Sequence, residues 1–271
     1  MKYIKEEKLK NLQYNKNNIF VVLDFDRTIT SNESEDSWAA TSNKEIMGEE
    51  INFKMDELYK VYRPIEIDYK MPIKEKEKNM EKWYGDCMDL YYKYNLTKEK
   101  LLQSVGKSKL IFRRGAKEFL NKCHQENIPV IIISAGIGNV IEQFLKTNNC
   151  YFDNTYIISN FITFDENGNM KKFDNTKMIH SMNKTIKNHL PKDIQEKIKD
   201  KKYRILVGDL IEDEKMVEQS DWDSTLKIAF LNNNIEDNIE KYKEHFDIVL
   251  TNEDANFGTL GTLQIVERSV L

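Results

Sequence analysis

Ile19-Phe20-Val21-Val22-Leu23 runs without a break into Asp24-Phe25-Asp26-Arg27-Thr28, and this stretch decides the fold. Apolar residues in an unbroken row, with no polar alternation, describe a strand covered on both faces, as in a parallel sheet. Runs of the same kind recur at Pro129–Ile133 (PVIII), Tyr156–Ile158, Arg204–Val207 (RILV), Leu226–Leu231 and Asp247–Leu250. Helical stretches lie between them: Gly115–Glu126 before PVIII, Gly138–Lys146 after it and Ile211–Gln219 after RILV. Strands alternating with helices build βαβ units, so the fold class is α/β, a doubly wound, Rossmann-like parallel sheet. FITF and MKKF flank Asp165-Glu166-Asn167-Gly168-Asn169, whose Asn-Gly pair signals a hairpin.

One long gap breaks the rhythm. From about Glu35 to Lys109 the pattern is charged and helical, with Trp83, Cys87, Leu90, Tyr91 and Tyr94 on one helical face and Pro64 and Pro72 as breakers. It reads as a helical cap domain, residues 35–109, inserted into an α/β core of residues 1–34 and 110–271. The chain's 271 residues agree with about two units at roughly 150 residues each.

Composition excludes several classes. Lys plus Arg is 41 and Asp plus Glu is 45, so the net charge is 41 − 45 = −4, which argues against a nucleic-acid partner held by a general basic surface. No apolar run approaches the ~18 residues of a membrane span, so no membrane partner is expected. MKYIKEEKLKNLQ lacks the apolar core of a secretory signal. Cys87, Cys123 and Cys150 are far apart and form no CxxC pair, as expected of reduced thiols in a cytoplasmic protein. The oligomeric state is not legible.

The chemistry gathers where strands end. Asp24 and Asp26, two apart, emerge together at the carboxyl edge of the sheet, where open α/β sheets bind ligands. PVIII ends in Ser134-Ala135-Gly136-Ile137-Gly138, whose hydroxyl and backbone N–H groups at a helix start suit an anion such as phosphate. RILV ends in Gly208-Asp209-Leu210-Ile211-Glu212-Asp213, and Asp209 and Asp213 are spaced to face one way. Hard carboxylate oxygens beside a phosphate site suit Mg²⁺. Each motif alone has an ordinary structural reading: a loop cap, a helix N-cap, an acidic helix start.

An Asp pair, a Ser-led anion nest and a second Asp pair, in that order, resemble the haloacid dehalogenase superfamily of phosphatases. Lys184, in Met182-Asn183-Lys184, stands where that superfamily places a lysine, although a lone lysine in a Lys-rich chain is ordinarily a surface charge. YRPIEID (Tyr62–Asp68), Met80 with Trp83-Tyr84, IPVIIISAGIGNVIE (Ile128–Glu142), ISNFITFDENG (Ile158–Gly168) and VGDLIED (Val207–Asp213) resemble the pyrimidine 5′-nucleotidase family, the cytosolic type III 5′-nucleotidases. The match runs from about Ile19 to the carboxyl terminus and is weakest just after the first motif.

The resemblance implies a Mg²⁺-dependent 5′-nucleotidase acting on nucleoside 5′-monophosphates. Asp24 would be the nucleophile that becomes aspartyl-phosphate, and Asp26 the acid for the leaving oxygen and base for water. Asp24, the Asp26 backbone carbonyl and Asp209 would hold the metal, with Asp213 orienting its shell. Ser134 and the Ala135 amide would bind phosphate, Lys184 would offset charge, and Thr28 would support the first loop. Glu66 corresponds to the family's base-contacting glutamate and Trp83-Tyr84 to its aromatic pair; packing inside the cap is the other reading of these rings. Cys87-Met88 replaces the family's Ser-His, which puts pyrimidine selectivity in doubt, and Arg27 has no assigned role. Competing readings are a phosphatase for another small phosphomonoester, such as a sugar phosphate or phosphoserine, and, more remotely, a non-catalytic phospho-aspartate regulatory module.

Overall fold

The computed structural model describes residues 2–12, 15–68 and 70–262. The chain opens with β1 (Lys2–Ile4) and α1 (Glu6–Asn11), then enters the sheet centre through β2 (Ile19–Leu23). Helices follow: α2 (Ser37–Thr41), α3 (Lys44–Met47), α4 (Glu49–Glu66), α5 (Ile73–Lys93) and α6 (Lys98–Lys107). The α/β alternation resumes with α7 (Ala116–Gln125), β3 (Val130–Ile137), α8 (Gly138–Thr147) and β4 (Thr155–Asn160). It continues through α9 (Ile186–His189), α10 (Lys192–Ile198), β5 (Tyr203–Gly208) and β6 (Thr225–Leu231). The last elements are α11 (Ile235–His245), β7 (Ile248–Thr251) and α12 (Phe257–Thr262).

The strands form one sheet in the order β1-β7-β6-β5-β2-β3-β4. All pairings are parallel except that of β1, which runs antiparallel along the edge of β7. Val22 of β2 lies between Ile131 of β3 and Leu206 of β5. From β2 the chain builds outward through β3 and β4, then returns to β5 on the other side. The gap at the carboxyl ends of β5, β2 and β3 is therefore a topological switch point, where such sheets bind ligands.

Burial follows the pleat. Ile19, Val21 and Leu23 pack into the core on one face of the sheet, while Phe20 and Val22 pack into the core on the other. A third cluster joins Ile51, Met80, Tyr84, Met88 and Tyr91 of the helical segment to Ile137 and Val140 beside the sheet edge. A buried ion pair, Lys76 Nζ to Glu212 Oε1 at 3.1 Å, also ties α5 to the loop after β5. Among the described residues, no helix is long and apolar enough to cross a membrane.

Several expectations need correction. Ile211–Gln219 is not an α-helix: a 3₁₀ turn covers Ile211–Met216, and Asp213 Oδ2 folds back to accept the N–H groups of Asp209 and Leu210. Pro64 does not break the segment but lies inside α4, close enough to its end that one missing N–H is tolerated, whereas Pro72 does begin α5. The buried stripe of α5 is Met80, Tyr84, Cys87, Met88 and Tyr91, with Trp83, Leu90 and Tyr94 half-buried beside it. The FITF–MKKF hairpin shrinks to one bridge, Phe164 to Met170, closed by the Asp165 N–H donating to the Asn169 carbonyl. β1 is too short, at three residues, to show an apolar run.

Candidate active site

Asp24 leaves β2 with its N–H donating to the Val207 carbonyl of β5 at 3.0 Å, so sheet pairing fixes the first carboxylate. The chain then turns through Phe25–Ile29, with Arg27 at φ +61° in the left-handed region. Arg113 braces this turn from beneath. Its Nε donates to the Thr28 carbonyl at 2.9 Å, Nη1 to the Ala255 carbonyl at 2.6 Å, and Nη2 to the Arg27 carbonyl and to Asn232 Oδ1.

Lys184 reaches the same place from the loop before α9. Its Nζ lies 2.6 Å from Asp24 Oδ1 and 2.7 Å from Asp213 Oδ1, with only 4% of the side chain exposed. Burial opposes its charge, but Asp213 and Asp24 outweigh burial and hold the ammonium well above the ordinary lysine range. Oxygens of Asp24, Asp209 and Asp213 all lie within 4.8 Å of one another. Burial pushes Asp24 up to about 6, with Lys184 opposing and Asp213 adding to the rise. Burial and the charges of Asp24 and Asp213 push Asp209 to about 8. With all three carboxylates ionised, as a cation among them would hold them, the cluster and its ammonium carry −3 + 1 = −2, and the donors are all hard oxygens. One divalent cation of the oxygen-seeking kind fits that charge and donor set.

Gly208 and Gly136 let the pieces approach. A Cβ on Gly208 would sit 2.4 Å from Cβ and Oδ2 of Asp213, and one on Gly136 would sit 1.9 Å from Ser37 Oγ and 2.8 Å from Asp26 Oδ2. Asp26 accepts from Ser37 twice, N to Oδ1 at 2.9 Å and Oγ to Oδ2 at 2.7 Å. Burial and nearby Asp36 push its carboxyl up to about 7, against those Ser37 bonds. Ser134 is buried with its Oγ accepting from the Gly136 N–H at 3.0 Å, and the Ala135 carbonyl accepts from Trp38 Nε1 and Asn160 Nδ2.

These groups form the floor of a cavity of about 310 Å³. Asp24, Asp26, Ser134, Ala135, Lys184 and Asp209 line its bottom; Trp38, Tyr59, Arg63, Glu66, Trp83, Tyr84 and Cys87 line the walls from the helical segment. Glu66 Oε2 pairs with Arg63, while Oε1 takes a long hydrogen bond of 3.4 Å from the Tyr84 hydroxyl. Trp83 both lines the cavity and stacks on Tyr62, ring centroids 5.9 Å apart at 13°. Trp38 meets Tyr84 edge-on at 5.2 Å. A second cavity of about 610 Å³ adjoins the first, sharing Arg27, Tyr59, Arg63, Asp209 and Leu210 with it and reaching Asn232, Asn233 and Asn234.

The expected residues thus converge from six separate stretches of chain, with three qualifications. Asp213 belongs to the acidic cluster but does not line the cavity, because its second oxygen is spent on the Asp209 and Leu210 amides. Thr28 is fully buried and lines neither cavity; what it offers is the carbonyl that Arg113 holds. Met88 is 1% exposed in the core of the helical segment, so of the Cys87-Met88 pair only Cys87 faces the cavity. Ser37, Trp38, Tyr59, Arg63 and Arg113 were not anticipated. Arg63 carried a signal, three residues before Glu66 on one helix; Ser37 and Trp38 fall where the family resemblance is weakest.

Comparison with known proteins agrees with this architecture. The family model of pyrimidine 5′-nucleotidase (UMPH-1) matches residues 26–267. The 7-methylguanosine phosphate-specific 5′-nucleotidase A of Xenopus laevis is 31% identical over 252 residues, covering 91% of this chain and 87% of that protein. The 7-methylguanosine phosphate-specific 5′-nucleotidase of Mus musculus is 32% identical over 240 residues, covering 86% and 80%. Among solved structures, cytosolic 5′-nucleotidase IIIB bound to cytidine superimposes with a TM-score of 0.81 at 29% identity, covering 98% of this chain and 93% of that one. A substrate-bound phosphoserine phosphatase shares the fold, with a TM-score of 0.54 at 17% identity over 91% of this chain and 97% of that one. With a family model spanning nearly the whole sequence and the acidic strand tips in place, the chain belongs to the pyrimidine 5′-nucleotidase family of phosphomonoester hydrolases.

Proposed function

We propose that this chain is a Mg²⁺-dependent 5′-nucleotidase that converts nucleoside 5′-monophosphates to nucleoside and phosphate through an aspartyl-phosphate on Asp24. One observation carries the reading: the tips of β5, β2 and β3 bring Asp209, Asp24 and Ser134 to the floor of a cavity walled by aromatic rings and a buried glutamate. Residues 35–109 act as a cap over the core of 1–34 and 110–271, contributing the walls while the core contributes the floor. The buried, unpaired cysteines support a cytosolic setting.

Asp24 attacks phosphorus, the phosphorus–O5′ bond breaks, and the Asp26 carboxyl gives its proton to the departing 5′-oxygen. In the second half, Asp26 takes a proton from water as the water oxygen attacks phosphorus. The phosphorus–oxygen bond to Asp24 then breaks, regenerating the carboxylate and releasing phosphate. Ser134 and the Ala135 amide hold phosphate oxygens, and Lys184 offsets charge on the reacting group. Asp24, the Asp26 carbonyl and Asp209 would hold Mg²⁺, with Asp213 fixing the Asp209 backbone; the bound ion screens carboxylate from phosphate dianion.

At the cap, Glu66 Oε2 is already neutralised by Arg63, whereas Oε1 is only loosely engaged and can accept from a base. Cytosine and 7-methylguanine both carry an exocyclic amino group, and both are named in the ligands or substrates of relatives of this chain. Aromatic walls from Trp38, Trp83 and Tyr84 suit either base by stacking. Phosphate release from CMP, UMP, 7-methylguanosine monophosphate, phosphoserine and a sugar phosphate, with and without EDTA, tests the reading. The nucleotides bearing amino groups should be the best substrates, and EDTA should abolish turnover. A preference for phosphoserine or the sugar phosphate, or turnover indifferent to EDTA, refutes it.

A further inference from the structure

The helical segment begins with a clamp on the catalytic turn. Ser37, the first residue of α2, is completely buried, and its two polar groups take up both oxygens of Asp26. Its hydroxyl also accepts from the Ile137 N–H at 3.1 Å, so one oxygen atom joins the turn after β2 to the end of β3. An N–H already fills one lone pair of that hydroxyl, and its hydrogen is aimed at Asp26 Oδ2. The absence of a side chain at Gly136 makes room for this arrangement, since even a methyl there would meet Ser37 Oγ at 1.9 Å. On either side, Asp36 caps α2 through the Ala39 N–H and pairs with Arg27 at 3.6 Å, while Trp38 donates to the Ala135 carbonyl at 3.2 Å.

We propose that Ser37 is the positioning residue for Asp26, holding its carboxyl in the one rotamer from which it can pass a proton to the departing oxygen and take one back from water. The inference rests on the reading of Asp26 as the acid and base. The Ser37 side chain bonds Asp26 and the Ile137 N–H, and makes no hydrogen bond to Ser134, Lys184 or the acidic cluster; it acts on the reaction through Asp26. A free Asp26 side chain would spread over several rotamers, and proton transfer is efficient only within hydrogen-bond reach of the reacting oxygen. Steps needing no proton from Asp26 should therefore be indifferent to Ser37. Those expelling a poor leaving group, such as a ribose 5′-oxygen, should depend on it.

Ser37→Ala removes the hydroxyl and keeps the backbone N–H, so it separates the two bonds. With CMP, kcat should fall about tenfold or more, the effect of losing one hydrogen bond to a charged group, while KM stays within about twofold. With p-nitrophenyl phosphate, whose leaving group needs little protonation, the rate of the first step read by rapid quench should fall less than about threefold, whereas with CMP the first step should fall with kcat. Ser37→Cys keeps the volume with a weaker donor and should lie between, with the thermal midpoint of each variant measured alongside; it carries the same test if the alanine variant fails to fold. In an Asp26→Asn background, assayed with CMP at high enzyme concentration, Ser37→Ala should add less than about twofold, because nothing remains to position. The acid–base reading itself fails if Asp26→Asn alone keeps near-parental turnover of CMP. If Asp26→Asn is impaired but Ser37→Ala matches the parent, slows the first step of both substrates equally, or lowers Asp26→Asn by its full factor again, Asp26 keeps its role and the positioning inference is overturned.

Discussion

Arg113→Met is the sharpest test of how the catalytic turn is held. The side chain is 6% exposed and supplies donors to the carbonyls of Thr28, Arg27 and Ala255 and to Asn232 Oδ1, with its guanidinium 4.6 Å above the Phe230 ring. Methionine keeps the stem and fills similar space but donates nothing. The buried Thr28 and Ala255 carbonyls then lose this donor at ~1–3 kcal/mol each and the half-buried Asn232 Oδ1 at ~1 kcal/mol, while the Arg27 carbonyl keeps the Asn232 Nδ2 donor at 3.1 Å, so ~5 kcal/mol is a central figure for the set. Against this, the variant no longer buries a cation. Burial pulls the guanidinium from 12.5 down to about 10, and 1.36 kcal/mol per unit makes that relief ~3 kcal/mol. The difference, ~2 kcal/mol of lost stability, should appear as a lower urea midpoint at unchanged slope, followed by both tryptophan fluorescence and circular dichroism. Phosphate release should fall as well, because the turn carrying Asp26 rests on the Arg27 and Thr28 carbonyls. An unfolding free energy within ~1 kcal/mol of the parent would mean that water replaces the guanidinium and that the brace is not structural.

Asp24→Asn should fold like the parent yet lose turnover by several orders of magnitude, since the amide keeps the volume and removes the nucleophile; activity within about tenfold of the parent contradicts the assignment. Glu66→Gln should reduce kcat/KM for CMP more than for UMP, by an amount on the order of 1–3 kcal/mol, and leave p-nitrophenyl phosphate nearly unchanged. If all three substrates decline together, Glu66 serves the cap through Arg63 and not the base. His180 is buried with Nδ1 accepting from the Met182 N–H, and burial lowers it from 6.5 to about 4. Between those values the unfolded chain binds the extra proton, so stability is full above ~6.5 and declines as pH falls, by ~1.4 kcal/mol at pH 5.5. Denaturant titrations at pH 7.5 and 5.5 should show His180→Gln losing that much less than the parent over the same interval, and an identical loss in the two proteins would refute the linkage.

What could be read from the residues alone follows from how local each signal is. The apolar runs ending in Asp24, Ser134 and Asp209 were legible because a parallel strand buried on both faces needs an unbroken run, and the residue after it necessarily stands at the sheet's edge. The 3₁₀ turn at Ile211–Met216 was not, because it depends on Asp213 returning to two backbone amides at 2.8 and 3.0 Å, a choice made by side-chain chemistry and not by periodicity. Arg113 and Ser37 were invisible for a different reason: their partners lie up to 142 and 100 positions away. Arg113 looks like any charged residue before a helix, and Ser37 like an ordinary helix start. Family resemblance carried Lys184 and Glu66, which no spacing could single out. The neutralising Arg63 beside Glu66 needed only the three-residue step of a helix.

The Lys76–Glu212 pair sets the terms on which molecules come and go. Swinging α5 away from the sheet would part this buried pair and open its seam, so that water would have to take the place of each partner. With the pair intact, the cavity above the acidic floor already adjoins a second one, edged by Asn232, Asn233 and Asn234, and Arg27 and Arg63 line both. Two guanidinium groups therefore stand where the cavities meet, so an anion moving between them would pass fixed positive charge while α5 stayed seated.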